Sequence, residues 1–153
     1  MDTSIKVVAS GKKWIGSGII STSTVIEDLI TQSKTSILIT SYVLSDYQII
    51  NLIKNSLEKG VTIELFIYES SLSDKIYKEI MMLDKEFIGL SIYLSPEEEF
   101  LHAKVLISDK KEVLIGSANL SNKGLTTNYE LGVLIKNPDI AYDIEKVIKK
   151  IGD

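Results

Sequence analysis

The sequence predicts an α/β fold in which one domain, residues 1–153, is built on a mixed, largely parallel β-sheet flanked by helices. Three observations carry that expectation. Between Ser36 and Leu94, short apolar runs of strand length alternate with segments whose apolar residues recur at helical spacing. After Pro96 the pattern changes to strands in quick succession. The 153 residues, 44% hydrophobic and 25% charged, suit one core-bearing domain and show no internal repeat, linker or low-complexity tract.

The elements follow in order. Ser4 to Ala9 reads as a first strand, and Gly11 to Ser21 as a turn-rich stretch with an edge strand at Gly18 to Ser21. Thr24 and Glu27 match a capping box, which opens a helix running to about Ser33 with Val25, Ile26, Leu29 and Ile30 on one face. Ser36 to Val43 is a buried strand. Asp46 caps a helix carrying Ile49, Ile50, Ile53 and Leu57, and Gly60 stops it. Val61 to Tyr68 is the next strand, Ser73 to about Phe87 a helix, and Leu90 to Leu94 a further strand. The later strands are Leu101 to Ser108, Glu112 to Ser117 and Tyr129 to Lys136. Asn137-Pro138-Asp139 starts a C-terminal helix, with Pro138 suited to its first turn.

Composition narrows the function. One His and no Cys leave only carboxylates as metal ligands, which suit Mg²⁺ or Ca²⁺ better than zinc, so no zinc site is expected and no cofactor is called for. The start of the chain lacks a basic segment leading into an apolar one, and no stretch approaches 18 apolar residues. A cytoplasmic protein with no membrane span is therefore expected. Net charge is −4 and every one of the 17 basic residues is Lys, which argues against broad, nonspecific nucleic-acid binding. A local cationic groove stays compatible with that sum, because field focusing depends on arrangement.

The chemistry concentrates in one run. His102, Lys104 and Asp109 are followed by Gly116, Ser117 and Asn119, then by Asn128 and Glu130, giving H-x-K-x4-D-x6-G-S-x-N-x8-N-x-E. At roughly one chance in twenty per letter, this many letters at fixed offsets arise by accident in fewer than about one chain in ten million. Strand alternation places His102 and Lys104 on one face, about 7 Å apart. Ser117 and Asn119 share parity where the next strand leaves the sheet. A nucleophile, an ammonium and two uncharged hydrogen-bonding groups can surround one phosphate. Asp109 has the opposite parity and sits at a turn with Lys110 and Lys111, away from that cluster.

The run resembles the signature of the phospholipase D superfamily, and the single copy in a short chain is similar to the compact homodimeric nucleases of that superfamily. The resemblance implies a mechanism. His102 Nε2 attacks phosphorus to form a phosphohistidine, and His102 of the partner subunit protonates the leaving group and then activates water. Lys104 and Asn119 of both subunits hold the phosphoryl oxygens, with Ser117 assisting. Glu130 accepts from His102 Nδ1–H and fixes the ring. Asp109 and Gly116 are motif residues of structural role, and no metal takes part. One histidine per chain makes a monomer half a site. Two imidazoles in opposite protonation states imply a bell-shaped pH profile.

Each residue also has a plainer reading. His102 alone is a core histidine, Lys104 a strand-edge lysine, Glu130 a surface carboxylate, Gly116-Ser117 a turn and Asn122-Lys123-Gly124 another. Tyr129 reads as packing. Gly16-Ser17-Gly18 after Lys12-Lys13-Trp14 lacks the Lys-Ser/Thr of a P-loop and reads as a surface turn. Glu97-Glu98-Glu99 is a solvated loop or a rim that repels polyanions or pairs with a partner's lysines. Three functional readings result: a metal-independent nuclease acting on DNA or RNA; the same chemistry on phospholipid, by hydrolysis or headgroup exchange, which no basic amphipathic helix supports; and a nuclease-like subunit docking partner proteins of a larger DNA-processing or defence assembly.

Overall fold

A computed structural model describes residues 2–153; Met1, the first residue of the N-terminal reading above, lies outside the described residues. Eight strands form one sheet: β1 (Ser4–Ser10), β2 (Ile20–Ser21), β3 (Ser36–Ser41), β4 (Thr62–Tyr68), β5 (Leu90–Ser95), β6 (Val105–Ser108), β7 (Glu112–Gly116) and β8 (Glu130–Lys136). Their order across the sheet is β2-β1-β8-β7-β6-β3-β4-β5. The helices are α1 (Thr22–Gln32), α2 (Tyr47–Glu58), α3 (Asp74–Glu86), the single turn α4 (Asn122–Leu125) and α5 (Pro138–Lys149).

The sheet is mixed, as expected, but less parallel than the alternating pattern suggests. The pairs β1–β2, β3–β4 and β4–β5 are parallel, whereas β1–β8, β3–β6, β6–β7 and β7–β8 are antiparallel. The helical crossovers α2 and α3 make β3–β4 and β4–β5 parallel, and no full helical crossover joins strands after α3. Beyond Pro96 a short turn suffices. Asp109 and Lys110 both sit in the left-handed region (φ 51° and 56°) and Lys111 N–H donates to Ser108 O at 3.0 Å, so residues 109–111 close a tight hairpin between β6 and β7.

Alternation along the strands separates two cores. Val8, Ile37, Ile39, Ile63, Leu65, Ile67, Leu106 and Leu114 face α1, α2 and α3, which present Ile26, Ile30, Ile53, Ile76 and Ile80 to them. The opposite parity, Leu38, Phe66, Val105, Ile107 and Val113, is covered by α5 through Ala141, Ile144 and Ile148. That single helix covers only part of its face. On β1, β8 and β7 the same face leaves Ile5, Val7, Leu131 and Ile115 exposed, Ile5 by 63% and Leu131 by 52%.

Several boundaries differ from the sequence reading for local reasons. Helix α1 begins at Thr22, not after Thr24: Ser21 is the N-cap and its Oγ accepts from Thr24 N–H at 3.2 Å. Asp46, Ser73 and Asn137 cap α2, α3 and α5 with their side chains. Asn122-Lys123-Gly124 is one helical turn rather than a simple turn, capped by Ser121. The strand predicted from Leu101 begins only at Val105. Thr40 of β3 explains the shift, because its hydroxyl donates to Ala103 O at 2.8 Å and accepts from Val105 N–H at 2.9 Å. This side chain replaces the main-chain ladder and releases residues 102–104 from the regular strand.

Candidate active site

The end of β3, the start of β6, the end of β7 and the start of β8 meet at one edge of the sheet, as the pairings Thr40–Val105, Val105–Ile115 and Gly116–Gly132 require. His102 and Lys104 lie there, with Ser117 and Asn119 just beyond β7 and Glu130 opening β8. The backbones of β7 and β8 approach closely. A Cβ on Gly116 would stand 2.6 Å from Leu131 O and 2.7 Å from Gly132 Cα, so only glycine fits. This is a packing reason for a motif glycine.

The two central side chains touch. Lys104 Nζ lies 3.2 Å from His102 Nδ1 and 3.0 Å from His102 O. The histidine is exposed, whereas the lysine stem is half-buried over a cavity of about 30 Å³ floored by Gly116 and Gly132. Burial pulls the Lys104 ammonium below the usual lysine range, and the charge of Glu130 pulls it partly back. An ammonium can only donate, so the ring nitrogen facing it accepts and the imidazole carries its proton on Nε2.

Among the described residues no hydrogen bond joins Glu130 to His102, and Nδ1 faces Lys104 instead. Glu130 acts on the lysine. Ser117 is also placed differently from a free phosphate ligand: its Oγ accepts from Leu131 N–H at 3.1 Å and donates to Leu131 O at 3.3 Å, fastening the post-β7 loop to β8. Asn119 is held by the loop whose Leu120 N–H donates to Val43 O, and its own Oδ1 is buried with no partner among the described residues.

Asp109 lies at the far end of β6. Its carboxylate accepts from Lys34, Thr35 and Ser36 N–H at 2.8–3.1 Å and from Thr35 Oγ1 at 2.9 Å. Burial raises this carboxyl, but the three backbone donors and the hydroxyl outweigh it and hold the group below the usual carboxylate range. The side chain closes the turn from α1 into β3.

An aromatic cluster beside His102 escaped the sequence reading. The ring of Tyr42, which follows β3, lies 4.5 Å from the imidazole, and Phe100 stacks on it at 5.8 Å and 15°. Tyr68, at the end of β4, backs both rings at 5.4 and 4.9 Å. Parity offered one signal, since Phe100, His102 and Lys104 alternate. The acidic run is partly structural: Glu99 accepts from Tyr93 OH at 2.6 Å, and Tyr68 OH donates to Glu97 O at 3.1 Å. Its hydrogen bond to Glu99, with some burial, pushes the Tyr93 phenol up. Tyr129 packs, as read, against Trp14 at 5.0 Å and over Gly11.

A histidine, a lysine and amide and carboxylate side chains at one sheet edge make the kind of site that handles a phosphodiester. Residues 26–151 match the family model described as "Cardiolipin synthase, PLD-like domain", and the chain belongs to the phospholipase D superfamily, whose members cleave or transfer phosphodiesters. It is 30% identical over 138 residues to DISARM protein DrmC of Bacillus paralicheniformis, an alignment covering 87% of this chain and 57% of that protein. It is 29% identical over 132 residues to cardiolipin synthase 1 of Staphylococcus epidermidis, covering 80% of this chain and 25% of that protein. The chain thus spans about half the length of the first relative and a quarter of the second. Among solved structures, Nuc from Salmonella typhimurium, a phospholipase D family member, superposes with a TM-score of 0.80 at 22% identity over 97% of this chain and 93% of that one. NucT from Helicobacter pylori gives 0.76 at 19% identity, covering 98% and 96%. No helix among the described residues is long and apolar enough to cross a membrane.

Proposed function

We propose that residues 1–153 form one phosphodiesterase domain acting as a metal-independent nuclease on DNA or RNA, with two copies completing the site. The observation that carries this reading is the contact between Lys104 Nζ and the sole histidine of the chain, His102, at the sheet edge where Asn119 and Glu130 also arrive. The likeness in fold to Nuc and NucT, spanning more than nine-tenths of each, supports the nuclease reading over the lipid one.

The geometry constrains the order of events. With Lys104 donating to Nδ1, Nε2 carries the proton and cannot attack. An incoming phosphate competes for the ammonium, drawing Lys104 onto a nonbridging oxygen and freeing Nδ1. The proton then moves to Nδ1, where a carboxylate such as Glu130 can accept its hydrogen bond, and Nε2 presents its lone pair to phosphorus. The P–O bond to the leaving group breaks as the N–P bond forms. A second imidazole, from a partner subunit, donates the proton that the departing oxygen needs. Lys104 and Asn119 stabilise the charge on the phosphoryl oxygens, and Ser117 supports them by holding the loop to β8.

The bare apolar face of β1, β8 and β7 supports a second copy, since Ile5, Val7, Leu131 and Ile115 are adjacent and exposed. The identity to DISARM protein DrmC supports a second reading in which the domain works inside a larger assembly. The test is cleavage of single-stranded DNA, duplex DNA and RNA in excess EDTA, with His102→Ala compared at matched oligomeric state. Chelator-resistant cleavage that vanishes in H102A is the expected result. Cleavage of phosphatidylglycerol with none of nucleic acid would overturn the nuclease reading in favour of lipid.

A further inference from the structure

The aromatic cluster lies on the other flank of His102 from Ser117, Asn119 and Glu130. Tyr42 and Tyr68 follow from β3 and β4, on the half of the sheet away from the bare face of β1, β8 and β7. The three rings differ in their exposure. Tyr68 is 5% exposed and serves as the base of the stack, Tyr42 is half-buried, and Phe100 is 61% exposed. Burial of Tyr68 and its hydroxyl bond to Glu97 O fix the floor, so Phe100 rests on a rigid support. Lys104 Nζ stands 5.7 Å over the Tyr42 ring, which ties the cation to the same platform.

We propose that Tyr42 and Phe100 form a stacking subsite for the nucleobase next to the reacting phosphate, and that the site therefore takes a single strand. The inference rests on the nuclease reading for its phosphate position, which Lys104 and His102 define. A base hangs one sugar away from its phosphate, and Phe100 lies one ring away from the imidazole, with centroids 5.8 Å apart. In a duplex both faces of a base are occupied by neighbours, whereas in a single strand they are free to stack on an aromatic side chain. Charge points the same way. Exposed Glu97 and Glu98 immediately precede the platform, and a second phosphate backbone would be brought against them. The chain has no arginine with which to grip a duplex.

The test separates the base from the backbone. Fluorescein-labelled thymidine 12-mers and 12-mers of the abasic tetrahydrofuran analogue are titrated by anisotropy into H102A and into H102A with Phe100→Ala, the first change preventing turnover. Phe100→Ala is expected to weaken binding of the thymidine strand roughly 5- to 150-fold, the span of a base–aromatic stack, and to leave the abasic strand unchanged. Phe100→Trp should restore thymidine binding. Equal weakening on both strands, or none on either, overturns the platform. So does a shift from dimer to monomer in light scattering, which would make Phe100 an interface residue, or a loss confined to phosphatidylglycerol vesicles. Wild-type cleavage reports the underlying reading separately. Base-dependent binding without cleavage would sink the nuclease and keep the platform. Equal cleavage of both strands would do the reverse.

Discussion

Replacing Asp109 should destabilise the protein without touching its chemistry. The carboxylate takes three backbone N–H groups and one hydroxyl from residues 34–36. Each hydrogen bond to a charged acceptor contributes about 1.5–3 kcal/mol when enclosed. This site is largely open to water, so the sum is brought down towards capping values of about 0.5–2 kcal/mol. We expect Asp109→Ala to cost about 1–2 kcal/mol, which lowers Tm by roughly 2–8 °C in a domain of this size. Asp109→Asn keeps Oδ1 and tolerates the left-handed backbone, so it should cost about half as much. The folded carboxyl lies below its ordinary 3.8. Its contribution is therefore fully present above that value and disappears as pH falls through the lower folded value. Differential scanning calorimetry of wild type and variants should show a gap that is constant near neutrality and closes below pH 3.8. Activity per folded molecule should persist, because seven extended residues place Asp109 about 20 Å from His102. Lost activity with unchanged Tm would refute the structural role, as would a gap that persists under strong acid.

Two further changes test the frame around the site. Gly116→Ala drives a Cβ into the Leu131 carbonyl and Gly132 Cα, backbone atoms that cannot turn aside, and should cost about 1–3 kcal/mol. Urea titration would show the loss, and turnover should fall too because β7 and β8 carry Asn119 and Glu130. Lys110→Gly relieves a left-handed residue (φ 56°) in the β6–β7 turn and should raise stability by about 0.5–1 kcal/mol. Its exposed ion pair with Glu145, 3.9 Å long, is too weak to offset that gain. A lower urea midpoint for K110G would show that the turn favours a side chain.

The parts of this site legible in sequence were those encoded by spacing. His102, Lys104, Asn119 and Glu130 lie at the same ends of the neighbouring strands β6, β7 and β8, and Asp109 lies at the other end of β6, because a short hairpin propagates position without long-range knowledge. Contacts between distant segments were not legible. Thr40 rewrites the backbone pairing at residues 103–105 from more than sixty residues away, and no local pattern announces it. The same holds for Tyr42 and Tyr68, which read as ordinary strand ends until the order β6-β3-β4 brings them to His102. At Nδ1 of His102 two side chains compete for one nitrogen, and Lys104, only two residues away, holds it in this structure. At α1 the competition was between two hydroxyl caps three residues apart, and Ser21 prevailed over Thr24.

The first strand has a consequence for the chain's history on the ribosome. Strand β1 finds its main partner in β8, where Ser4 pairs with Lys136 and Ser10 with Glu130. Residues 4–10 therefore wait, unpaired along that edge, until residues 130–136 have emerged. Pairing over such a separation closes a long loop and comes late in folding. The same event brings Glu130 close enough for its charge to act on Lys104, so assembly of the candidate site and the final closure of the sheet arrive together. A nascent chain released before β8 would carry its histidine but no working centre, and its waiting strand would present an open edge to other chains.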